Sequence, residues 1–194
     1  MKLTEKLVKN AGILWSRFTR QGLCVSMLWA VDHAVRILTG APIRSVSQVT
    51  PQLHVGGQYR RRGWARLAAR GITAVVNLRT EFDDAAAGIA PQRYLYLPAV
   101  DDTPPTLEHL RQGADFIAEE VACGGGVYIH CGAGVGRAPT MAAAYLVGAG
   151  LTPDEAWARI RAVRPFIRIK PGQAAQIARF AQVERFAQES GDTE

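Results

Sequence analysis

The segment Val127-Tyr-Ile-His-Cys-Gly-Ala-Gly-Val-Gly-Arg-Ala-Pro-Thr140 constrains this chain more than any other. An apolar run ends in Cys131, glycines at 132, 134 and 136 follow, and Arg137 closes the loop. Residues 127–129 read as a short buried strand. From Arg137 onward the sequence reads as a helix with Pro139 in its first turn. Cys131 is therefore expected on a strand–loop–helix turn, under the positive end of a helix dipole. Such a turn suits an oxyanion and favours a thiolate.

Glycine permits close backbone approach, so the loop is expected to curl until its N–H groups converge. The amides of Gly132, Ala133, Gly134, Val135 and Gly136 then form a ring of donors for a phosphoryl group. Arg137 adds a planar fork to two of its oxygens. A thiolate below a bound phosphate monoester is placed for in-line attack and a phosphocysteine intermediate. This chemistry calls for no metal and no cofactor. The competing reading is a glycine-rich turn around a structural cysteine.

His130-Cys131-x5-Arg137, with its glycines, strand and helix, resembles the signature loop of the cysteine-dependent protein-tyrosine and dual-specificity phosphatases. The resemblance implies a general acid on a separate loop, an aspartate shortly after a strand. Asp101 and Asp102 in Leu97-Pro-Ala-Val-Asp-Asp-Thr-Pro-Pro105 are the candidates. Asp101 is preferred, and Asp102 reads as a turn residue. His130 is expected to hold the loop and tune the thiolate. Family members usually carry Ser or Thr after the arginine, whereas this chain has Ala138. Thr140 lies further along the helix on another face. Slow hydrolysis of the phosphocysteine is expected.

Arg164-Pro-Phe-Ile-Arg-Ile-Lys-Pro171 resembles the dual-specificity branch. Val127-Tyr-Ile-His-Cys131, Pro139-Thr-Met-Ala-Ala-Ala-Tyr-Leu146 and Pro171-Gly-Gln173 look most like the mitochondrial-type phosphatidylglycerophosphate phosphatase branch. Gly132 and Val135 stand where that branch has basic residues, which brings the loop nearer to tyrosine phosphatases proper. The implied function is a metal-independent phosphomonoester hydrolase acting on phosphotyrosine or phosphoserine/threonine in proteins. The alternatives are a membrane-associated lipid-phosphate phosphatase and, on account of Ala138, a phosphate-binding pseudophosphatase. The implied partner is thus a phosphorylated protein or an anionic phospholipid.

Pattern places strands at 52–56, 72–78 and 94–97. Helices are placed at 64–70, 106–122, 139–147, 172–188 and from the Thr152-Pro-Asp-Glu155 capping box to 163. Strands alternating with helices point to an α/β fold, a single domain whose central, mostly parallel sheet is flanked by helices. The divisions are a basic amphipathic extension over 1–44, a catalytic domain over 45–188 and a polar tail over 189–194.

Residues 1–50 hold seven Lys and Arg against two acids, most of the net charge of +6. Leu3, Leu7, Ala11, Leu14 and Phe18 recur at helical spacing, with Lys2, Lys6, Lys9, Arg17 and Arg20 on the other face. A basic amphipathic helix of this kind suits peripheral contact through residues 1–40 with an anionic membrane. A helical pair packed on the catalytic domain is the alternative. No uncharged run here is long enough to span a bilayer. Three cysteines without pairing or ligand spacing suit a reducing compartment. Cytoplasm, or the inner face of a membrane, is expected. Cys123 reads as a residue at a helix end or as a resolving partner of Cys131. His33, His54 and His109 are scattered, so no metal site is read. Nucleic-acid binding is not supported. Arg60-Arg61-Arg62, Arg79, Arg168, Lys170 and Gln173 are secondary candidates near the cleft.

Overall fold

A computed structural model describes residues 22–191. Its elements are α1 (Leu23–Thr39), β1 (Leu53–Gly57), α2 (Trp64–Ala68), β2 (Ile72–Arg79) and β3 (Arg93–Ala99). Then come α3 (Leu107–Ala122), β4 (Gly126–Cys131), α4 (Arg137–Gly148), α5 (Pro153–Val163) and α6 (Pro171–Gly191). The sheet order is β1-β4-β2-β3, and all three pairings are parallel. The chain is thus α/β, with helices on both faces of the sheet. Buried on both sides, β2 and β4 are the two near-continuous apolar runs of the sequence.

Side chains alternate across these strands. Leu53, Val55, Ala74, Val76, Leu78, Val127 and Ile129 enter the main core with residues of α3 to α6. Tyr128 lies on the opposite face, with Tyr59, Leu67, Ile72 and Val75. Of α4, ten residues are buried, as its apolar sequence anticipates. Local signals set several helix ends. The Thr106 hydroxyl accepts from the His109 N–H at 3.1 Å, and Thr152 and Glu155 form the expected capping box. The last helix begins at Pro171 and continues to Gly191, into the stretch read as a tail.

The expected stripe and basic face over residues 3–20 lie outside the described residues. What is described of the extension is α1, whose buried residues are Ser26, Asp32 and Arg36. Among the described residues, no helix is long and apolar enough to cross a membrane.

Candidate active site

The functional loop joins the end of β4 to the start of α4, at the carboxyl edge of the sheet where open α/β folds bind ligands. Cys131 is buried, and its Sγ accepts from the Gly134 N–H at 3.3 Å. Gly134 has φ +68°, and a Cβ there would lie 2.2 Å from the Gly56 backbone. No other residue fits that position.

Each loop carbonyl is tied from outside the loop. The Gln58 N–H donates to Gly132 O at 3.1 Å, and the Arg168 N–H donates to Val135 O at 2.7 Å. The Arg164 guanidinium donates to Gly134 O at 2.6 Å and to Ala133 O at 3.2 Å. Thr140 donates to Gly136 O from both its N–H and its hydroxyl. Because a trans peptide points its N–H opposite to its C=O, carbonyls held outward turn the amides inward. The Gly134 N–H on Sγ is one instance. Loop curvature is thus imposed largely by donors far away in sequence, Gln58, Arg164 and Arg168.

Arg164 is fully buried, as is Asp32 of α1, which faces it at 3.4 Å. The other Asp32 oxygen accepts from the Ile43 N–H at 2.9 Å. Arg36 of α1 donates to Gln58 O at 2.7 Å, just beyond β1. The N-terminal helix therefore braces the loop from behind.

Arg137 is 2% exposed. Its two terminal nitrogens reach Glu81 at 2.9 and 3.0 Å in a bidentate pair, and also the Leu78 and Ala99 carbonyls. Its Nε is buried without a hydrogen-bond partner. The hydrogen bond from Arg137 holds Glu81 well below the usual carboxylate range, at about 2. Arg79 reinforces Glu81 at 3.0 Å and donates to the Gln58 side chain at 2.8 Å.

The two candidate aspartates separate cleanly. Asp101 places a carboxylate oxygen 2.9 Å from Arg137, whereas Asp102, at φ +62°, pairs with Lys170 at 3.2 Å. His130 places its Nε2 2.7 Å from an Asp84 oxygen, with both side chains fully buried. Gln58 donates to the other Asp84 oxygen at 2.8 Å. The rings of Tyr59 and Tyr128 flank the imidazole. Gln173 is buried beside Gly136, donating to Thr103 O at 3.2 Å and accepting from the Lys170 N–H.

Cys123 is exposed at the end of α3, with the length of β4 between it and Cys131. That is about 17 Å of strand, too far for a disulfide, so the resolving role is corrected. Glu81, Asp84, Gln58 and Asp32 were not read from sequence. Glu81 carried one usable signal, its place just past the carboxyl end of a central parallel strand.

Residues 53–183 match the family model described as dual specificity phosphatase, catalytic domain. The chain belongs to this family. A human relative, "Phosphatidylglycerophosphatase and protein-tyrosine phosphatase 1", is 41% identical over 88 residues, 44% of this chain and 44% of the relative. The chain therefore spans under half the length of that relative. The zebrafish (Danio rerio) "Dual specificity protein phosphatase 22-B" is 31% identical over 70% of this chain and 73% of its own. Among solved structures, PTPMT1 aligns with a TM-score of 0.67 at 25% identity, covering 74% of this chain and 98% of its own. PTPMT1 in complex with PI(5)P aligns with the same score at 27% identity, over 72% of this chain and 96% of its own. This is a phosphatase catalytic domain, and α1 lies outside the part the family model matches.

Proposed function

We propose that the protein hydrolyses phosphate monoesters through a phosphocysteine on Cys131. One observation carries the reading: the Arg137 Nε donor is buried and unpaired in a loop whose carbonyls all face outward. Buried donors seek acceptors, and a phosphoryl dianion supplies them. The Cys131 thiolate attacks phosphorus, the P–O ester bond breaks, and Asp101 gives its proton to the leaving oxygen. Water then attacks the phosphocysteine, Asp101 takes a proton from it, and the S–P bond breaks to release inorganic phosphate. Arg137 and the amides of residues 132–136 hold the equatorial oxygens throughout. The substrate oxygens and Asp101 compete for one Arg137 nitrogen. Phosphate binding therefore frees Asp101 to reach the leaving group in its protonated form.

Ala138 is fully buried, and the Thr140 hydroxyl is spent on Gly136 O at 2.9 Å. Neither offers a hydroxyl to the sulfur, which supports slow release of the phosphate from Cys131. A pre-steady-state burst is expected. Ala138→Ser should raise the steady-state rate about tenfold, the worth of one hydrogen bond to a charged group.

The uncharged loop positions Gly132 and Val135 support a phosphorylated protein side chain as substrate. Lipid phosphate is the second reading, favoured by the similarity to the human phosphatidylglycerophosphatase and to PTPMT1 solved with PI(5)P. Turnover of an aryl phosphate in the presence of chelator, lost in Cys131→Ser, tests the hydrolase. Tight phosphate binding with no turnover would leave the pseudophosphatase. A phosphotyrosine peptide compared with lipid phosphate in vesicles separates the substrates.

A further inference from the structure

From Lys6 to Arg79, twelve residues are basic and one, Asp32, is acidic. Asp32 is buried against Arg164, so it offers no charge to solvent. Arg44, Arg60, Arg61, Arg62 and Arg66 are exposed. The described part of this region thus presents cations outward and no exposed acid.

Helix α1 adds an apolar face. Leu23, Met27, Val31 and Leu38 recur at helical spacing, each between 50% and 74% exposed. The helix cannot roll this stripe inward, because its other side is committed through Asp32 to Ile43 and Arg164 and through Arg36 to Gln58. The Arg62 guanidinium donates to the Ile37 carbonyl, so the arginine run abuts the end of the stripe. Exposed leucine, methionine and valine bordered by arginine is the pattern of a helix lying in a lipid interface.

We propose that α1 docks on an anionic phospholipid surface, its stripe among the acyl chains and the arginines of residues 44–66 at the headgroups. Charge decides the occupant. A second copy would set one arginine cluster against another, and a nucleic acid offers nothing to the apolar stripe. The proposal deepens the lipid-phosphate reading, since the docked helix is the one that braces the phosphate loop. Binding itself needs no turnover.

The test is flotation of the full chain with two kinds of vesicle: phosphatidylcholine alone, and equal parts phosphatidylcholine and phosphatidylglycerol. The chain should float with the anionic vesicles only, and less as salt is raised. The paired variant Val31→Glu/Leu38→Glu should lose about tenfold or more in apparent affinity. It should retain wild-type circular dichroism and aryl phosphatase activity. Cys131→Ser should float as wild type does, which keeps a failed hydrolase reading distinct from a failed docking surface. Equal flotation of wild type and the paired variant, or no flotation of wild type, overturns the proposal. So does a concentration-dependent dimer that the paired variant abolishes without any vesicle binding, which would assign the face to a second copy.

Discussion

In the loop after β4, every carbonyl from Gly132 to Gly136 accepts a hydrogen bond from outside. In the loop after β3, Asp101 and Asp102 hold one ion pair each, with side chains 80% and 73% exposed. The two loops meet at Arg137 but are built for different work. A fixed ring of amides stabilises charge without reorganising when it develops. An exposed aspartate changes partners at little cost, because water screens the pair it leaves. On the proposed reaction, the pocket is braced where charge would accumulate and loosely held where a proton would move.

The largest expected effect lies in the braced loop. Cys131→Ser should lower kcat by at least about 10⁴-fold, the scale seen when a nucleophile is removed. Phosphate binding and thermal stability should persist. Comparable turnover in wild type and variant would break the contrast at its centre. Next comes the exposed loop. Asp101→Asn should lower kcat by about 10²- to 10³-fold and remove the limb of the pH–rate profile that reports a protonated acid. Its stability should change little, since the Asp101 side chain is exposed and Arg137 keeps its bidentate pair with Glu81.

Glu81 links the two loops, and its variant sharpens the comparison. Its folded pKa is lowered from 4.5 to about 2, chiefly by the hydrogen bond from Arg137. A lowered carboxylate pKa contributes stability above the unfolded value and loses it as pH falls through the folded one. Urea midpoints measured from pH 4.5 down to about 2 should therefore fall less steeply in Glu81→Gln than in wild type. Its affinity for inorganic phosphate should also change, by about tenfold, because Arg137 loses its bidentate partner. An unaltered pH slope would detach Glu81 from the braced side. The smallest effect is expected at Asp102→Asn, which removes one exposed pair to Lys170 and should alter kcat less than about twofold. A drop as large as that of Asp101→Asn would reverse the assignment of the acid.

Much of this site was legible in the chain. Cys131, Arg137 and the glycines declare themselves because one short segment carries strand, loop and helix N-terminus together. The same holds for the capping box at Thr152 and for the apolar run of β2, whose physics acts within a few residues. The choice between Asp101 and Asp102 was drawn from resemblance, and spacing alone does not separate neighbours. Their different partners, Arg137 and Lys170, come from separate parts of the chain. The basic amphipathic pattern read at residues 2–20 and the apolar stripe of α1 are distinct features, and the second emerged only once burial had selected which residues of the helix face inward.

The sequence by itself determined the α/β arrangement, several helix ends and the strand–loop–helix turn at Cys131, since periodicity, caps and glycine conformations are short-range effects. Only the tertiary structure decided that Arg164 turns the loop carbonyls outward, that Asp32 neutralises it from a helix outside the matched domain, and that Asp84 holds His130. Burial creates these pairings. A charge deprived of water must find its counterpart wherever the fold brings one, and chain distance says nothing about where that is.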